Sequence, residues 1–212
     1  MSIRKKILAI SIGPVLVLGV ITLLFILTMV KSSLMDEVQD ALKGTAAATL
    51  AAYDQNTGDY LESTNGDIWK GSYNISKSES LVDRIKENTG MDVTFFYGNK
   101  RIMTSALDKK GNRILGSEAG ERVVNQVIKG KKPFFSTNVS LDGTRNYGYF
   151  IPVYQNGTTD QVIGMVFVGT NKARKDAIVN KILGSIMMAL LVVMLLCCLL
   201  YTSPSPRDVE ES

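Results

Sequence analysis

The residue types that usually carry enzymatic chemistry are scarce in this sequence. Its 212 residues include no histidine, so the usual general base at neutral pH and the commonest metal ligand are both missing. The two cysteines, Cys197 and Cys198, are neighbours in an apolar run near the C-terminus, and no acidic cluster has the spacing of a metal site. We therefore predict a protein that is not an enzyme and that uses no metal and no cofactor.

Two long hydrophobic segments divide the chain. Residues 7–30 and 182–201 contain no charged side chain, and each reaches the roughly 20 apolar residues that a helix needs to cross a bilayer. The basic start at residues 4–6 also occurs in signal peptides, but the apolar run is too long for one and lacks a clear cleavage site. We therefore predict two transmembrane helices, the first of them an uncleaved anchor.

The orientation of these helices follows from the positive-inside rule. The three cations at residues 4–6 keep residues 1–6 in the cytoplasm, so residues 31–178 are predicted to lie outside the cytoplasmic membrane. One group of cations conflicts with the rule, because it precedes the second segment on its outer side. This group consists of Lys172, Arg174, Lys175 and Lys181. The predicted orientation therefore depends mainly on the first helix.

The C-terminal residues have an unusual composition. From Cys198 to Asp208 the sequence resembles the conceptual translation of a sequencing adapter, and the alternative is a short disordered tail rich in proline and serine. We expect residues 202–212 to be non-native and to carry no chemistry. On this interpretation the sequence is truncated after the second membrane helix, and the natural protein continues past about Cys197 into a cytoplasmic output module.

The region between the two segments has the size and composition of one domain. About 150 residues are enough to bury a proper core, and without cysteine this core is held by no disulfide. The net charge of the chain is +4, and no long block of one sign occurs. This pattern indicates a solvated surface, and we predict no nucleic-acid partner.

The first third of this domain is predicted to be mainly helical. Residues 31–54 continue the membrane helix with an apolar stripe at spacings of three and four. The stripe consists of Leu34, Val38, Ala41, Leu42, Thr45, Ala48 and Ala52. It fits packing within the domain as well as the seam of a homodimer, which is the assembly we expect. A polar loop with a short helix or turn over residues 55–76 and a helix over residues 76–88 follow, with Ser76 and Glu79 as a capping box.

Five strands and one further helix complete the domain. Hydrophobic alternation and turn dipeptides such as Gly98-Asn99 and Asp142-Gly143 mark the strands. The strands are predicted at residues 91–97, 100–105, 133–139, 145–154 and 161–170, and the helix at residues 117–129. Because no helix separates the last three strands, the sheet must be mainly antiparallel. The fold class is therefore α+β, with the element order of a PAS-like sensor domain.

Several runs of this region, taken in order, resemble a known family, the single Cache domain. They are Asp92-Val-Thr-Phe-Phe-Tyr97, Arg101-Ile-Met-Thr-Ser105, Gly111-Asn-Arg113, Leu115-Gly116, Lys129-Gly-Lys131, Tyr147-Gly-Tyr-Phe-Ile-Pro152 and Ile163-Gly-Met-Val-Phe-Val-Gly169. The resemblance implies a PAS-like single Cache fold, with a five-stranded mainly antiparallel sheet and N-terminal helices. It also implies a location outside the cytoplasmic membrane of a bacterium and a small ligand, commonly a carboxylate.

The resemblance also suggests which residues bind the ligand. Related citrate and C4-dicarboxylate sensors carry an Arg-x-x-His signature where this chain has Arg101 and Thr104. An arginine holds a carboxylate through two charge-assisted hydrogen bonds, whereas the missing histidine implies a smaller or less charged ligand. Alternatively, Arg101 is a surface partner of Asp92 or Glu118.

Six further residues complete the predicted ligand site. They are Phe95 and Tyr97 on the first strand, Arg113 in the following loop, and Tyr147, Tyr149 and Phe150 on the strand that leads to Pro152. Tyr147 and Tyr149 lie on the opposite face from Gly148 and Phe150, and the sequence leaves open which face lines the pocket. Core packing explains the aromatic residues equally well, and Arg113 either serves a turn or closes over an anion.

Three functions fit these observations. The first is the input module of a chemoreceptor, which binds a small metabolite and signals to a methyl-accepting cytoplasmic module in a missing region. The second is the sensor of a histidine kinase or of a cyclic-dinucleotide enzyme. The third is a membrane-anchored structural or interaction protein without a small ligand. The frequency of chemotaxis outputs behind such domains favours the first, which is an argument from the family alone.

Overall fold

The chain forms two compact units. The computed structural model describes the backbone of residues 3–202, with side chains described for residues 13, 14 and 17–196. One unit is Asp36–Lys175, and the other combines Met1–Met35 with Asp176–Ser212. Apart from Thr202, the tail that we expect to be non-native lies outside the described residues.

Both predicted membrane segments lie in long helices. Helix α1 spans Ile3–Asp54 and helix α4 spans Lys172–Thr202. Within the described part of the chain, the stretches Val17–Asp54 and Lys172–Leu196 are long and apolar enough to cross a membrane, by length and composition. Their large apolar side chains are exposed, as is typical of helices that face lipid.

The C-terminal part of α1 packs into the domain through a stripe of buried side chains. The stripe consists of Val38, Leu42, Ala46, Thr49 and Tyr53, at spacings of three and four. The prediction is confirmed for Val38 and Leu42 but is wrong for Ala48, which is exposed. Packing within the domain therefore accounts for the buried stripe, and the homodimer stays a prediction.

A small three-stranded antiparallel sheet occupies most of the region that was predicted to be a polar loop. Its strands are β1 (Tyr60–Glu62), β2 (Ile68–Lys70) and β3 (Tyr73–Asn74). Gln155 joins this sheet to the rest of the domain, because its side chain accepts a hydrogen bond from the Tyr60 N–H and donates one to the Tyr60 carbonyl oxygen. The loop prediction over residues 55–76 is wrong for these strands.

Helix α2 begins later than predicted. It spans Glu79–Thr89 and follows a short 3₁₀ turn at Ile75–Lys77. The predicted capping box does not form, because the Ser76 hydroxyl accepts a hydrogen bond from the Ile68 N–H at 2.9 Å. The helix ends at Gly90, whose φ of 69° is left-handed and suits glycine.

The main sheet has the five antiparallel strands that the sequence predicts. They are β4 (Asp92–Tyr97), β5 (Lys100–Thr104), β6 (Phe134–Leu141), β7 (Thr144–Tyr154) and β8 (Val162–Asn171). The strand order is β5-β4-β8-β7-β6, so the last strand in sequence lies at the centre of the sheet. This mixed architecture confirms the α+β fold class.

Helix α3 also begins after the predicted residue. It spans Glu121–Val123 and continues as a π-helical turn over Val124–Lys129, whereas the prediction began at residue 117. The backbone before α3 forms hydrogen bonds with the β4–β5 hairpin instead. The Ser117 carbonyl oxygen accepts from the Arg101 N–H, and the Ala119 N–H donates to the Asn99 carbonyl oxygen. Residues that bond to the β4–β5 hairpin in this way cannot also form a helical turn.

The two faces of the main sheet have different neighbours. On the face that we call the α1 face, the Phe95 ring lies 5.1 Å from Tyr53 of α1 and 5.8 Å from Tyr60 of β1. On the other, the α3 face, Phe96 and Phe167 share an apolar cluster with the side chains of α3 and the π-turn. A β-bulge at Phe95 and Phe96 marks where the β4–β5 register shifts.

Candidate functional site

A cavity of about 540 Å³ lies on the α3 face of the main sheet. The sheet supplies its floor, and α3 with the segment before it supplies one wall. Strand β6, at the edge of the sheet, supplies the other wall with Ser136, Asn138 and Ser140. This size lies within the range of about 300–1,000 Å³ that is usual for pockets of small ligands.

Arg101 brings a buried positive charge to this cavity. The residue is only 8% exposed, and its guanidinium lies 5.3 Å from the centre of the Phe96 ring. Nη1 donates a long hydrogen bond of 3.3 Å to the Ile114 carbonyl oxygen, whereas Nε is buried without any hydrogen-bond partner. Burial lowers the pKa of Arg101, and the more distant charge of Asp92 offsets this only partly.

Arg101 has no counter-ion within the described part of the chain. Neither Asp92 nor Glu118 forms an ion pair with it, since Asp92 pairs with Lys86 at 2.8 Å. The alternative of a surface ion pair is therefore not what the structure shows. A buried cation with an unused donor is costly unless an anion completes it, so this arrangement suits a carboxylate ligand.

The floor of the cavity is aromatic. Three phenylalanines are paired directly across β6, β7 and β8. The ring centre of Phe150 lies 6.4 Å from that of Phe134 and 4.8 Å from that of Phe167. Gly148 makes room for this row, because a Cβ there would lie 2.5 Å from the Phe167 ring. The floor therefore offers an apolar surface beside the Arg101 charge.

The charged residues at the mouth differ from Arg101 in their exposure. Glu118 and Arg122 line the cavity, but both are exposed to solvent. The Arg122 guanidinium lies 5.4 Å from the centre of the Phe134 ring, which it covers from the solvent side. Because water screens them, these two opposite charges act far more weakly than the buried guanidinium.

Two of the eight predicted ligand residues, Arg101 and Phe150, line the cavity. Thr104 lies on the same face of the sheet, but its hydroxyl is already used within the hairpin. It donates to the Val93 carbonyl oxygen, accepts from the Ala106 N–H, and lies 2.7 Å from the Thr94 hydroxyl. A ligand role for Thr104 stays a prediction.

Four predicted residues lie on the α1 face. Strand registry places Phe95, Tyr97, Tyr147 and Tyr149 there, away from the cavity. Phe95 belongs to the aromatic core with Tyr53 and Tyr60, which is the core-packing alternative considered from the sequence. The cavity thus lies on the face of Phe150, a choice that the sequence left open.

Arg113 does not line the cavity and is bonded to other residues of the domain. Its guanidinium pairs with Asp83 of α2 through Nη1 at 2.9 Å and Nη2 at 2.6 Å, and Nη1 also donates to the Thr104 carbonyl oxygen at 2.7 Å. The pairing lowers the pKa of Asp83 and raises the pKa of Arg113. Arg113 therefore fastens the loop after β5 to α2, and closure over an anion stays a prediction.

Fourteen of the sixteen lining residues were not predicted as ligand residues from the sequence. The aromatic and charged ones among them are Phe96, Phe134, Phe135, Phe167, Glu118 and Arg122. Phe134, Phe150 and Phe167 share one face of the sheet because they are paired directly across the three strands, and this registry is not visible in any single strand. The described residues contain no group of three or more histidine, cysteine or acidic side chains that could hold a metal ion.

The chain matches a family of known domains over slightly more than half of its length. Residues 73–182 match the family described as Single cache domain 3. This range includes the whole main sheet and every residue that lines the cavity. No curated protein matches the chain.

Solved structures with the same fold include bacterial receptor domains. An extracellular ligand binding receptor from Desulfohalobium retbaense is 14% identical with a TM-score of 0.50, and the match covers 73% of this chain and 26% of the receptor. The sensory domain of the Campylobacter jejuni chemoreceptor Tlp3 (CcmL) is 11% identical with a TM-score of 0.51, over 80% of this chain and 66% of that domain. The ligand-binding domain of Tlp3 in complex with L-valine is 11% identical with a TM-score of 0.52, and the match covers 80% of this chain and 65% of that domain.

These structural matches are limited in two ways. At identities of 11–14% they show a shared fold alone. The chain also spans less than two thirds of the length of each of these structures.

Proposed function

This chain belongs to the single Cache domain 3 family, and on that basis we propose that it is the input part of a transmembrane receptor for a small carboxylate. In this proposal the ligand enters the cavity on the α3 face, with its carboxylate against Arg101. Residues 31–178 lie outside the cytoplasmic membrane of a bacterium, and the ends of the chain lie inside. The two long apolar helices cross the membrane.

The observation that carries the proposal is the incomplete bonding of Arg101. A guanidinium offers five N–H donors, and here one weak hydrogen bond and one aromatic contact use only a part of them. A carboxylate in the cavity would supply acceptors for the Nη donors and the missing negative charge together, although the enclosed Nε lies out of its reach. A role in packing alone would leave the burial of this cation unexplained.

The output proposed here is chemotaxis. A fold shared with the sensory domain of a chemoreceptor supports a methyl-accepting module on the cytoplasmic side, although sensor kinases and cyclic-dinucleotide enzymes use related inputs. Strand β8 ends at Asn171 and α4 starts at Lys172, so no flexible linker separates the sheet from the membrane helix. This continuity supports transmission of a change in the sheet along the chain.

Ligand-dependent thermal stability tests the proposal. The full chain is placed in lipid nanodiscs and heated with panels of carboxylates, amino acids and neutral metabolites. A carboxylate at 100 times its Kd should stabilise the folded protein by about 2.7 kcal/mol and raise Tm accordingly. Arg101→Gln should abolish this shift, because an amide has no charge and fewer donors in place of the guanidinium fork.

An exposed arginine provides the matched control. Arg84 lies on the solvent side of α2, and Arg84→Gln should keep the full response. The proposal is wrong if no carboxylate raises Tm, or if Arg101→Gln responds as the natural sequence does. A protein with only a structural role would show the first of these results.

A further inference from the structure

The lining of the cavity also indicates what the rest of the ligand is. Resting on the proposed function, we infer that the ligand is a monocarboxylate with an apolar body, as opposed to a dicarboxylate or tricarboxylate. Two properties of the site lead to this conclusion. One is the distribution of charge in the lining, and the other is the aromatic floor.

The cavity contains one buried charge. Arg101 is 8% exposed, whereas the other charged lining residues, Glu118 and Arg122, are exposed and opposite in sign. One carboxylate therefore matches the one desolvated cation. A second carboxylate that followed the ligand into the cavity would lose its hydration without gaining a buried partner, which is strongly unfavourable.

The floor next to Arg101 favours an apolar body. Phe96, Phe134, Phe150 and Phe167 line one continuous side of the cavity, and Val123 of α3 lies on the wall. Phe96, Phe150 and Phe167 are nearly inaccessible to solvent and form the base of the cavity, whereas the half-buried Phe134 offers the most accessible aromatic surface for a ligand. A hydrocarbon chain or ring on this floor gains from every methylene that leaves water.

The size of the cavity agrees with this assignment. About 540 Å³ is far more space than a carboxylate group alone requires, and pockets of this size enclose most of a drug-sized ligand. The polar side chains Ser136, Asn138 and Ser140 lie on β6, the outermost strand of the sheet. The inner part of the cavity therefore combines one cation with a hydrocarbon surface.

A homologous series of ligands on the unaltered full chain tests the inference directly. Calorimetric titration in nanodiscs is carried out with acetate, propionate, butyrate, pentanoate and hexanoate. The Kd should fall by about fourfold for each added methylene, because each one buried contributes about 0.8 kcal/mol. Titration of Arg101→Gln gives the heat of partition into lipid, which is subtracted.

Matched pairs of ligands separate the possible chemical classes. Succinate has the four-carbon skeleton of butyrate with a second carboxylate, and it should bind at least tenfold more weakly. L-Leucine is 4-methylpentanoate with an added α-ammonium group. Its affinity should exceed that of 4-methylpentanoate by less than tenfold, because Glu118, the acidic residue that could pair with the ammonium, is exposed. Tighter binding of succinate, or a larger gain for leucine, overturns the inference.

One substitution tests the floor itself. Phe134 is half-buried, so Phe134→Ser removes apolar surface from the cavity without emptying the centre of the core. We expect hexanoate to bind about tenfold more weakly and acetate to change less than twofold. Leu61→Ser is the control, since Leu61 is 61% exposed on β1 and touches no part of the cavity.

The outcomes distinguish this inference from the proposed function. If carboxylates bind through Arg101 but affinity does not rise along the series, the receptor proposal stands and the apolar ligand is wrong. If no carboxylate binds, or if binding survives Arg101→Gln, both are wrong. If affinity rises regularly with chain length in the natural sequence and this rise is lost in Phe134→Ser, the result supports both the receptor proposal and the apolar ligand.

Discussion

Single residues decide how charge is held in this domain, and the ion pair between Lys70 and Asp54 shows how unequal the two partners can be. Their Nζ and Oδ1 atoms lie 3.2 Å apart, but the side chain of Lys70 is 3% exposed and that of Asp54 is 49% exposed. Lys70 Nζ also lies 4.0 Å from the centre of the Tyr60 ring. The Lys70 ammonium therefore needs Asp54 to compensate its charge, whereas water already solvates much of the Asp54 carboxylate.

We predict that Asp54→Asn destabilises the protein more than Lys70→Met. The first change leaves a buried ammonium without its counter-charge and should cost about 3–5 kcal/mol. The second leaves a hydrated carboxylate and replaces the lysine stem with a side chain of similar volume, so it should cost less than about 1.5 kcal/mol. Thermal unfolding of the full chain measures both changes, and equal losses would contradict this account.

The pair between Asp83 and Arg113 makes stability depend on pH. Hydrogen bonding by Arg113 lowers the pKa of Asp83, so the carboxylate stabilises the fold above the unfolded-state pKa of about 3.9. This contribution is lost as the pH falls through the lower pKa of the folded state. Because the Asp83 side chain is 43% exposed, we expect no more than about 1 kcal/mol at pH 7.

Asp83→Asn tests this dependence. The variant should be less stable than the natural sequence at pH 7 and should approach its stability as the pH falls below 3.9, since about this pH marks the loss of the carboxylate charge. Asp160→Asn, at an exposed turn position, is the control and should change little. A difference that persists unchanged at low pH would show that the charge is not responsible.

At the scale of the elements, the main sheet depends on one close approach between β4 and β8. A Cβ at Gly164 of β8 would lie 2.0 Å from the Phe96 carbonyl oxygen and 3.2 Å from the Tyr97 Cα atom. These are backbone atoms of a central strand, so they cannot move aside as a flexible side chain would. The sheet therefore requires glycine at this position.

We predict that Gly164→Ala destabilises the protein by about 3 kcal/mol, since it forces two paired strands apart. Gly44→Ala is the matched control, because Gly44 lies inside α1 with nothing within 4 Å of an added Cβ. Alanine is the better helix former, so that change should stabilise by about 0.5–1 kcal/mol. Opposite shifts in Tm are expected, and a tolerated Gly164→Ala would contradict the contact.

The elements that could be predicted from the sequence are those with a repeated local signal. Strands β4 to β8 are five to eleven residues long, contain many β-branched and aromatic residues, and are bounded by turns or loops, so their number and pairing type could be predicted. Strands β1 to β3 are two or three residues long, which is too short for a period to appear. The late starts of α2 and α3 depend on hydrogen bonds to other segments, since the Ser76 hydroxyl accepts from the Ile68 N–H and the Ala119 N–H donates to the Asn99 carbonyl oxygen.

The site was predictable only in part for a similar reason. Arg101 was found through the resemblance to other sensors, and its lack of a counter-ion became visible only in three dimensions. Alternation separated Tyr149 from Phe150 but could not assign either to the cavity, because both faces of this sheet are covered. Glu118 and Arg122 come from the segment around α3, and no local pattern marks them.

At the scale of the whole molecule, the proposed topology predicts which positions are accessible from outside the cell. In a chain whose Cys197 and Cys198 are replaced by serine, Asn156→Cys places a thiol in an exposed turn of the domain. A membrane-impermeant maleimide should label it in intact cells. A thiol at position 2 should be labelled only after the membrane is permeabilised, and the reverse pattern would overturn the orientation.

The position of β8 in the sheet has a mechanical consequence. This strand is hydrogen-bonded along both edges, to β4 and to β7, and the chain continues from it into α4. A pull along the strand therefore loads two ladders of hydrogen bonds in shear, so that many bonds share the force at once. A strand at the edge of the sheet could be peeled away one bond at a time, whereas displacement of β8 along its axis requires many hydrogen bonds to break together.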